Sequence, residues 1–369
     1  MRRFLMLFVL LAACAPRGNL VVVPIEAVQG PVVPVFTASS RETDPDGQPG
    51  RNRAETPAFG RYDIAIPPNR EAGDIRFTRK GNAPDASRDF LTTGAVIYDG
   101  SDDFRTDLSR ALRAQPADSR DAVIYIHGYN TRFAEGVYRM AQLRHDYDLP
   151  GVAVHYAWPS AGTPFGYVDD RDSALFARDG LETLLHEVAA AKPRRILLVA
   201  HSMGSSVAME ALRTAAIRRD RQLLDKLSGV VLISPDIDLD VFRAQARAMD
   251  TLPQPFLIFG STRDRALSLS AAIVGRQERL GNLRDISRVA DLKVTYLDVA
   301  AYASGSGHFA LGDNPALIAL MGRIGDVDAA LMADDRARIG LLPGVVLTVR
   351  NATEIVLAPV EAVANQLDQ

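Results

Sequence analysis

The chain has 369 residues, of which 47% are hydrophobic and 24% are charged. This composition is that of a folded globular protein, and it excludes disorder throughout the chain. The net charge is −3, and the sequence holds no long basic run, so the broad positive field of a DNA- or RNA-binding protein is missing. We therefore expect no nucleic-acid partner.

The first fourteen residues have the layout of a secretory signal. Two arginines precede an apolar stretch from Phe4 to Ala13, which is too short to span a bilayer as a permanent helix. The stretch ends in Leu-Ala-Ala-Cys, which resembles the processing box of bacterial lipoproteins, and a plain secretory signal is the alternative. The resemblance implies a lipid on Cys14 and a place on the periplasmic side of the bacterial cell envelope. Ala15 is not the aspartate associated with inner-membrane retention, which favours the outer membrane.

Composition divides the rest of the chain into three segments. Residues 15–60 are rich in Pro, Gly, Arg and Asp, which predicts a mostly flexible tether with one possible strand at Val32–Phe36. Residues 61–330 carry a globular pattern. Residues 331–369 form a C-terminal extension whose apolar run is too short for a membrane span, so we expect it to dock on the domain or on a second subunit.

Within the globular segment, short apolar runs alternate with helical patterns. The runs are apolar at consecutive positions, as strands covered on both faces require. Strand and helix in alternation predict right-handed crossovers and a mostly parallel central sheet with helices on both faces, which is an α/β fold. The runs are Ala122–Ile126, Val152–Ala157, Ile196–Ala200, Val230–Ile233, Phe256–Phe259 and Val294–Val299.

A serine follows the third of these runs and precedes a helical pattern. The segment from Ala200 to Gly204, AHSMG, resembles the G-x-S-x-G nucleophile elbow of α/β-hydrolases, with Ala200 in place of the first glycine. Small residues two places before and after the serine are needed because larger side chains would clash in the sharp turn that exposes the hydroxyl. Ser202 is therefore the candidate nucleophile, and a structural serine is the alternative.

A serine hydroxyl needs a base within hydrogen-bonding reach. Of the six histidines, His308 lies in the loop ASGSGHFALGD after the last apolar run, where it can reach back across the end of the sheet. The other five lie in helical patterns, in a strand run, beside the serine or in a separate motif. The chain order serine, acid, histidine of this hydrolase class favours His308 as the base, and a solvated loop histidine is the alternative.

The base in turn needs a carboxylate to orient it. Asp264, in FLIFGSTRDRAL, follows the apolar run Phe256–Phe259 and is the candidate acid. Asp236 and Asp238 follow the preceding run and are the rivals, although aspartates in that position also cap helices. Asp298 lies inside a strand run, which disfavours it.

Two backbone N–H groups must stabilise the oxyanion of an acyl-transfer reaction. In this fold one donor comes from the residue after the nucleophile, which is Met203. The stretch AVIYIHGYN resembles the HG-type oxyanion loop, and the N–H of Tyr129 is the candidate second donor. A simple strand-end turn is the alternative.

Five motifs stand in order along the chain: HGYN, HYAWPSAGTPFGYVDDRDSA at residues 155–174, AHSMG, SPDID and GSTRDRAL. They are similar to those of a family of bacterial α/β-hydrolases whose physiological role is undefined, over residues 61–313. The resemblance implies a serine hydrolase and supplies no substrate. Trp158 and His127 are the candidate pocket residues, with Trp158 as an apolar wall at the rim or in a small cap, and core packing of Trp158 is the alternative.

Taken together, these residues predict a carboxylic ester hydrolase, esterase- or lipase-like, that acts through an acyl-enzyme on Ser202 without a metal or organic cofactor. Its partners would be a small-molecule ester or acyl substrate and the membrane that holds the lipid on Cys14. An acyltransferase with the same acyl-enzyme is one alternative. A lipid-anchored envelope protein that keeps the fold without the chemistry is the other. Neither composition nor motif indicates the oligomeric state.

Overall fold

An 11-stranded sheet runs through the described part of the computed structural model, which comprises residues 17–45, 47–275, 278–302, 307–308, 310–322, 344–349 and 352–357. The strands are β1 (Val32–Thr43), β2 (Pro49–Ala65), β3 (Leu91–Ile97), β4 (Ala122–Ile126), β5 (Val152–Ala157), β6 (Ile196–His201), β7 (Leu227–Ile233), β8 (Phe256–Gly260), β9 (Val294–Asp298), β10 (Gly344–Val349) and β11 (Ala352–Leu357). Their order across the sheet is β10-β11-β9-β8-β7-β6-β4-β5-β1-β2-β3.

Helices connect most of the central strands. They are α1 (Ser101–Ala114), α2 (Phe133–Asp146), α3 (Tyr167–Phe176), α4 (Arg178–Ala190), α5 (Gly204–Ile217), α6 (Arg221–Leu224), α7 (Leu239–Ala248), α8 (Arg265–Val274), α9 (Ala310–Asp313) and α10 (Pro315–Gly322). None of the helices in the described ranges is long and apolar enough to cross a membrane.

The middle of the sheet is parallel from β9 through β8, β7, β6 and β4 to β5. This arrangement confirms the predicted α/β class, because each parallel neighbour requires a crossover through a helix. The predicted apolar runs coincide with these six strands. All carboxyl ends of the parallel strands therefore meet at one edge of the sheet, where functional groups gather in open α/β folds.

Two hydrophobic layers cover the two faces of the sheet. In β4, Ile124 and Ile126 pack into the layer that also holds Phe104 of α1. Val123 and Tyr125 point the other way and pack with Val137 of α2. Because both faces of β4 are buried, consecutive rather than alternate residues are apolar, as the sequence pattern predicted.

Over residues 15–60, the predicted strand at Val32–Phe36 is confirmed as the start of β1, but the prediction of a mostly flexible tether is wrong for the described residues. β1 pairs parallel with β5 and antiparallel with β2, so the globular unit begins well before residue 61. Val35 and Phe36 are buried, one in each layer. The segment is ordered because neighbouring strands and helices supply the apolar surface that its own composition lacks. The second part of its Pro-, Gly- and Arg-rich centre, from Pro49, belongs to β2.

The described part of the C-terminal extension adds two strands beside β9, on the side of the sheet away from β1, β2 and β3. β11 pairs parallel with β9, and β10 pairs antiparallel with β11. The expected docking of this segment on the domain is confirmed for these strands. The backbone N–H and C=O groups of β9 that would otherwise form an open sheet edge are thereby paired.

His155 is a buried titratable group in the centre of β5. Its Nδ1–H donates to the carbonyl oxygen of Tyr125 at 3.0 Å, and its Nε2 has no hydrogen-bond partner within the described ranges. Burial lowers the pKa of His155 from 6.5 to about 3. The imidazole is therefore neutral in the folded protein at neutral pH.

Acid should destabilise the fold through this histidine. As pH falls below 6.5, the unfolded chain binds a proton that folded His155, with its pKa of about 3, does not bind. The His155→Leu variant should therefore lose about 1.5 kcal/mol less of its free energy of unfolding than the wild type between pH 6.5 and pH 5. Urea denaturation at the two pH values measures this, with exposed His145→Gln as the control. An equal loss in wild type and His155→Leu would contradict the assignment.

Candidate active site

Ser202 occupies a strained turn between β6 and α5. Its φ is +52°, in the left-handed region that non-glycine residues rarely adopt. Its N–H donates to the carbonyl oxygen of Ile233 at 2.9 Å, and its own carbonyl accepts from the N–H of Ser205 at 3.0 Å. These bonds hold the turn at the carboxyl edge of the sheet and present the Oγ there.

Two glycines make room for this turn. A Cβ on Gly204 would lie 2.2 Å from the carbonyl oxygen of His127, and a Cβ on Gly128 would lie 2.8 Å from the Cβ of Ser202. The turn after β6 and the loop after β4 therefore touch backbone to backbone. This contact explains why a small residue is required two places after the serine, as the elbow resemblance implied.

The structure brings the side chains of Ser202, His308 and Asp264 together. The Oγ of Ser202 lies 2.9 Å from Nε2 of His308, and Nδ1 of His308 lies 2.8 Å from Oδ2 of Asp264. Ser202 is 2% exposed, and Asp264 is completely buried. The hydroxyl can thus donate to the imidazole while the opposite ring N–H donates to the carboxylate.

Asp264 has a second role as the N-cap of α8. Its Oδ1 accepts from the backbone N–H of Leu267 at 2.9 Å, which leaves Oδ2 for His308. The two bonds fix the plane of the carboxylate, so the imidazole that it contacts is also oriented.

The rival acids are engaged elsewhere. Asp238 caps α7 by accepting from the N–H of Val241 and of the residue before it, as the alternative interpretation proposed. Asp236 accepts from Tyr167 Oη at 2.9 Å and from Ser270 Oγ at 2.6 Å. Asp298, also disfavoured on sequence, accepts from the backbone N–H two residues on at 2.8 Å.

The two candidate oxyanion donors belong to residues next to Ser202 and next to Gly128. Met203 follows Ser202 directly, and Tyr129 follows the glycine that touches Ser202. Within the part of the chain that the structure describes, neither backbone N–H donates to a protein acceptor. The Tyr129 side chain is held by its hydroxyl, which donates to the carbonyl oxygen of Pro164 at 2.6 Å. Both N–H groups are therefore available to an added oxygen atom.

The prediction that Trp158 and His127 line the substrate pocket is wrong. Both side chains are completely buried, and their rings stack at 4.9 Å between centroids. Trp158 Nε1 donates to the carbonyl oxygen of His127 at 2.6 Å, so the indole finds its polar partner inside the core. The core-packing alternative holds, and the pair lies at the start of the HGYN loop.

Arg41 is a further support of the same loop that the sequence analysis missed. It is 3% exposed, and its guanidinium donates to the carbonyl oxygens of Thr131 at 2.8 Å and Ser160 at 3.1 Å. Burial lowers the pKa of Arg41 from 12.5 to about 10, so it remains a cation at neutral pH. It lies at the end of β1, inside the segment read as a tether, which is why its role escaped prediction.

A cavity of about 360 Å³ opens beside Met203. Tyr167, Val168 and Leu175 of α3 form one side, and Ile237 lies on the other. These α3 residues belong to the second half of the motif at residues 155–174. Buried Arg279 also lines the cavity and pairs with Asp236 at 3.2 Å, and no motif pointed to it.

His201, the last residue of β6, packs against the candidate base His308. Its ring centroid is 4.9 Å from that of His308. Burial and the neighbouring His308 lower the pKa of His201 well below its usual value, so it stays neutral. A proton taken up by His308 therefore meets no second positive imidazole. In the described ranges, no group of three His, Cys, Asp or Glu side chains is arranged to hold a metal ion.

Crowding of the elbow gives a direct test of this geometry. In Gly128→Ala the new Cβ would lie 2.6 Å from Nδ1 of His201 and 2.8 Å from Cβ of Ser202, so one of them must move. We expect the rate of Ser202 labelling by a fluorophosphonate to fall by about tenfold or more, since misplacement by about 1 Å costs up to 10²-fold. Gly100→Ala is the control, because a Cβ there meets open space. Equal labelling rates in both variants would contradict the close contact.

Several solved structures have folds similar to that of this chain. A search of curated proteins finds no match. Among solved structures, the fold is similar to Aspergillus fumigatus lipase B (14% identity, 62% of this chain and 58% of that one, TM-score 0.37). It is also similar to TT1662 from Thermus thermophilus (13%, 58% and 90%, TM-score 0.35) and to a thermophilic esterase from the planctomycete Thermogutta terrifontis (13%, 75% and 92%, TM-score 0.30).

A family model gives the assignment. The model of the family described as alpha/beta hydrolase of unknown function (DUF900) matches residues 101–322, more than half of the chain and the whole stretch from α1 to α10. The matched stretch contains Ser202, Asp264 and His308. The chain therefore belongs to this family of alpha/beta hydrolases of unknown function.

Proposed function

We propose that the protein is a carboxylic ester hydrolase whose nucleophile is Ser202. The observation that carries the proposal is the continuous hydrogen-bonded path from Ser202 Oγ through His308 to Asp264, with distances of 2.9 Å and 2.8 Å. The stability of the fold does not require these three side chains to contact one another. They come from a left-handed turn, a loop and a helix N-cap. Their alignment meets the requirements of an activated nucleophile.

The first half of the reaction forms an acyl-enzyme. Ser202 Oγ attacks the ester carbonyl while Nε2 of His308 accepts the hydroxyl proton. Asp264 holds the imidazole with Nδ1–H toward its Oδ2 and stabilises the imidazolium that forms. The carbon–oxygen bond to the alcohol then breaks, and His308 returns the proton to the leaving alkoxide.

The second half releases the acid. Water attacks the acyl carbon, His308 accepts a proton from it, and the bond to Oγ breaks as Nε2 returns the proton to Ser202. In both halves the developing oxyanion accepts from the N–H groups of Met203 and Tyr129. An alcohol in place of water in this half would make the protein an acyltransferase.

The cavity beside Met203 is our candidate binding site for the substrate group next to the ester bond. Its volume of about 360 Å³ suits a small molecule. Val168, Leu175 and Ile237 offer apolar contact, while Arg279 and Asp236 add polar groups at the wall.

We also propose that Cys14 carries a lipid and that the protein resides at the periplasmic side of the bacterial envelope, at the outer membrane. The support is the Leu-Ala-Ala-Cys box after an apolar stretch. The box and the apolar stretch before it lie outside the described ranges.

Substitution of the three side chains tests the hydrolase. Ser202→Ala should abolish fluorophosphonate labelling, and Ser202→Ala, His308→Ala and Asp264→Asn should each lower kcat for p-nitrophenyl esters by about 10⁴-fold or more. Asp238→Asn is a matched control, because asparagine also caps helices and Asp238 caps α7. A folded wild-type protein that stays unlabelled near neutral pH, or equal losses in Asp264→Asn and Asp238→Asn, would overturn the proposal.

Fractionation of cells tests the anchor. Cys14→Ser should move the protein from the membrane fraction to the soluble fraction, and globomycin should block processing of the wild type, because the acylated cysteine is the proposed covalent anchor. Ala15→Ser controls for introducing a serine beside the box. Membrane association that survives Cys14→Ser, with processing insensitive to globomycin, would reject the lipoprotein assignment.

A further inference from the structure

The N-terminal end of the described chain is fastened to the oxyanion loop. Arg17 pairs with Glu135, with Nε 2.8 Å from Oε1 and Nη2 2.9 Å from Oε2. Its guanidinium also donates to the Oδ1 and to the carbonyl oxygen of Asn130, each at 2.9 Å. The backbone N–H of Gly18 adds a bond to Glu135 Oε1 at 2.9 Å. The chain therefore enters the domain next to Tyr129, at the carboxyl edge of the sheet.

The length of chain beyond this point limits where a lipid on Cys14 can lie. Cys14 lies three residues before Arg17 in the chain. An extended chain covers at most about 3.6 Å per residue. A lipid on Cys14 would thus begin within about 11 Å of Arg17. The strands of the sheet are five or six residues long near the site, about 17–20 Å, so the point where the lipid is attached cannot reach the amino ends of these strands.

The same edge exposes apolar side chains around the cavity. Phe165 is 87% exposed and Val168 is 68% exposed, although both are large and hydrophobic. Val168 and the half-exposed Leu175 also line the cavity beside Met203. The Tyr129 hydroxyl holds the carbonyl oxygen of Pro164, which fixes the base of this loop beside the oxyanion donor.

Basic side chains lie between the N-terminal attachment and the apolar loop. A second cavity, about 640 Å³, is lined by Gly18 on one side and Thr163 on the other, which shows that the two features are neighbours. Arg51 and Arg132, both exposed, line its mouth. Arginines beside exposed apolar side chains suit a surface that meets anionic lipid headgroups.

From these observations we propose that the carboxyl edge of the sheet faces the bilayer, with Phe165 and Val168 in its interfacial layer. The site at Ser202 then takes amphiphilic esters directly from the lipid surface. This inference rests on the proposed anchor at Cys14 and on the proposed hydrolase. The lipid determines which edge meets the membrane, and the apolar loop brings the cavity mouth against it.

A depth measurement tests the orientation. The chain has one native tryptophan, Trp158, and it is completely buried, so it serves as a constant background. Full-length Phe165→Trp and Ile217→Trp are reconstituted in vesicles of phosphatidylethanolamine and phosphatidylglycerol, with and without brominated acyl chains. Ile217 is the matched control, because it is 56% exposed and ends α5, which runs from Ser202 to the opposite edge.

Brominated lipid should quench about half or more of the fluorescence added by Phe165→Trp, since interfacial side chains insert about 5–10 Å. It should leave that added by Ile217→Trp unchanged. Equal quenching at both positions, or no quenching at Phe165→Trp, overturns the orientation. The absence of quenching at Phe165→Trp would be seen if a protein partner or a second copy covers the loop. Fluorophosphonate labelling of the same samples separates the proposals, because a labelled but unquenched Phe165→Trp protein rejects only the orientation. Quenching without labelling supports the orientation and rejects the hydrolase.

Discussion

The left-handed backbone of Ser202 is the constraint on which the rest of the site depends. A φ of +52° is unfavourable for serine, and it persists because the hydrogen bond from Ser202 N–H to the carbonyl oxygen of Ile233 in β7 and close packing against the loop after β4 over-determine the turn. Relaxation would withdraw the Oγ from His308. Gly204 and Gly128 are small because the two backbones must touch there, so one contact positions both the turn and the HGYN loop.

Around that contact, groups far apart in the chain converge at one sheet edge. Asp264 caps α8 and orients His308 with the same carboxylate, so the stability of a helix and the position of an imidazole depend on one side chain. Arg41 and Arg17, from the N-terminal segment, hold the loop that carries Tyr129. The segment before residue 61 is thus part of the site's framework. Its attachment beside Tyr129 also links the proposed site to the proposed anchor.

Much of the architecture could be predicted because its signal is local. Consecutive apolar residues mark strands buried on both faces, and the six predicted runs are the six central strands. The elbow, the HGYN loop and the order of serine, aspartate and histidine led to three side chains that the structure places within hydrogen-bonding distance. Most of the N-terminal hairpin, beyond the predicted strand at Val32–Phe36, was missed because its polar composition resembles a linker. Its order comes from β5 and the helices around it, which no local window contains.

Pattern alone therefore established the fold class, the strand that ends at Ser202 and the candidates for base and acid, since each depends on residues close in the chain. Tertiary structure decided among candidates whose chemistry is the same. Asp264 contacts His308, whereas Asp238 caps α7. The side chain of either aspartate has the chemistry to orient a histidine or to cap a helix. Trp158 is in the core because the carbonyl oxygen of His127 satisfies its indole N–H. Such choices depend on which backbone atoms meet across the sheet, and only the packed chain brings those atoms together.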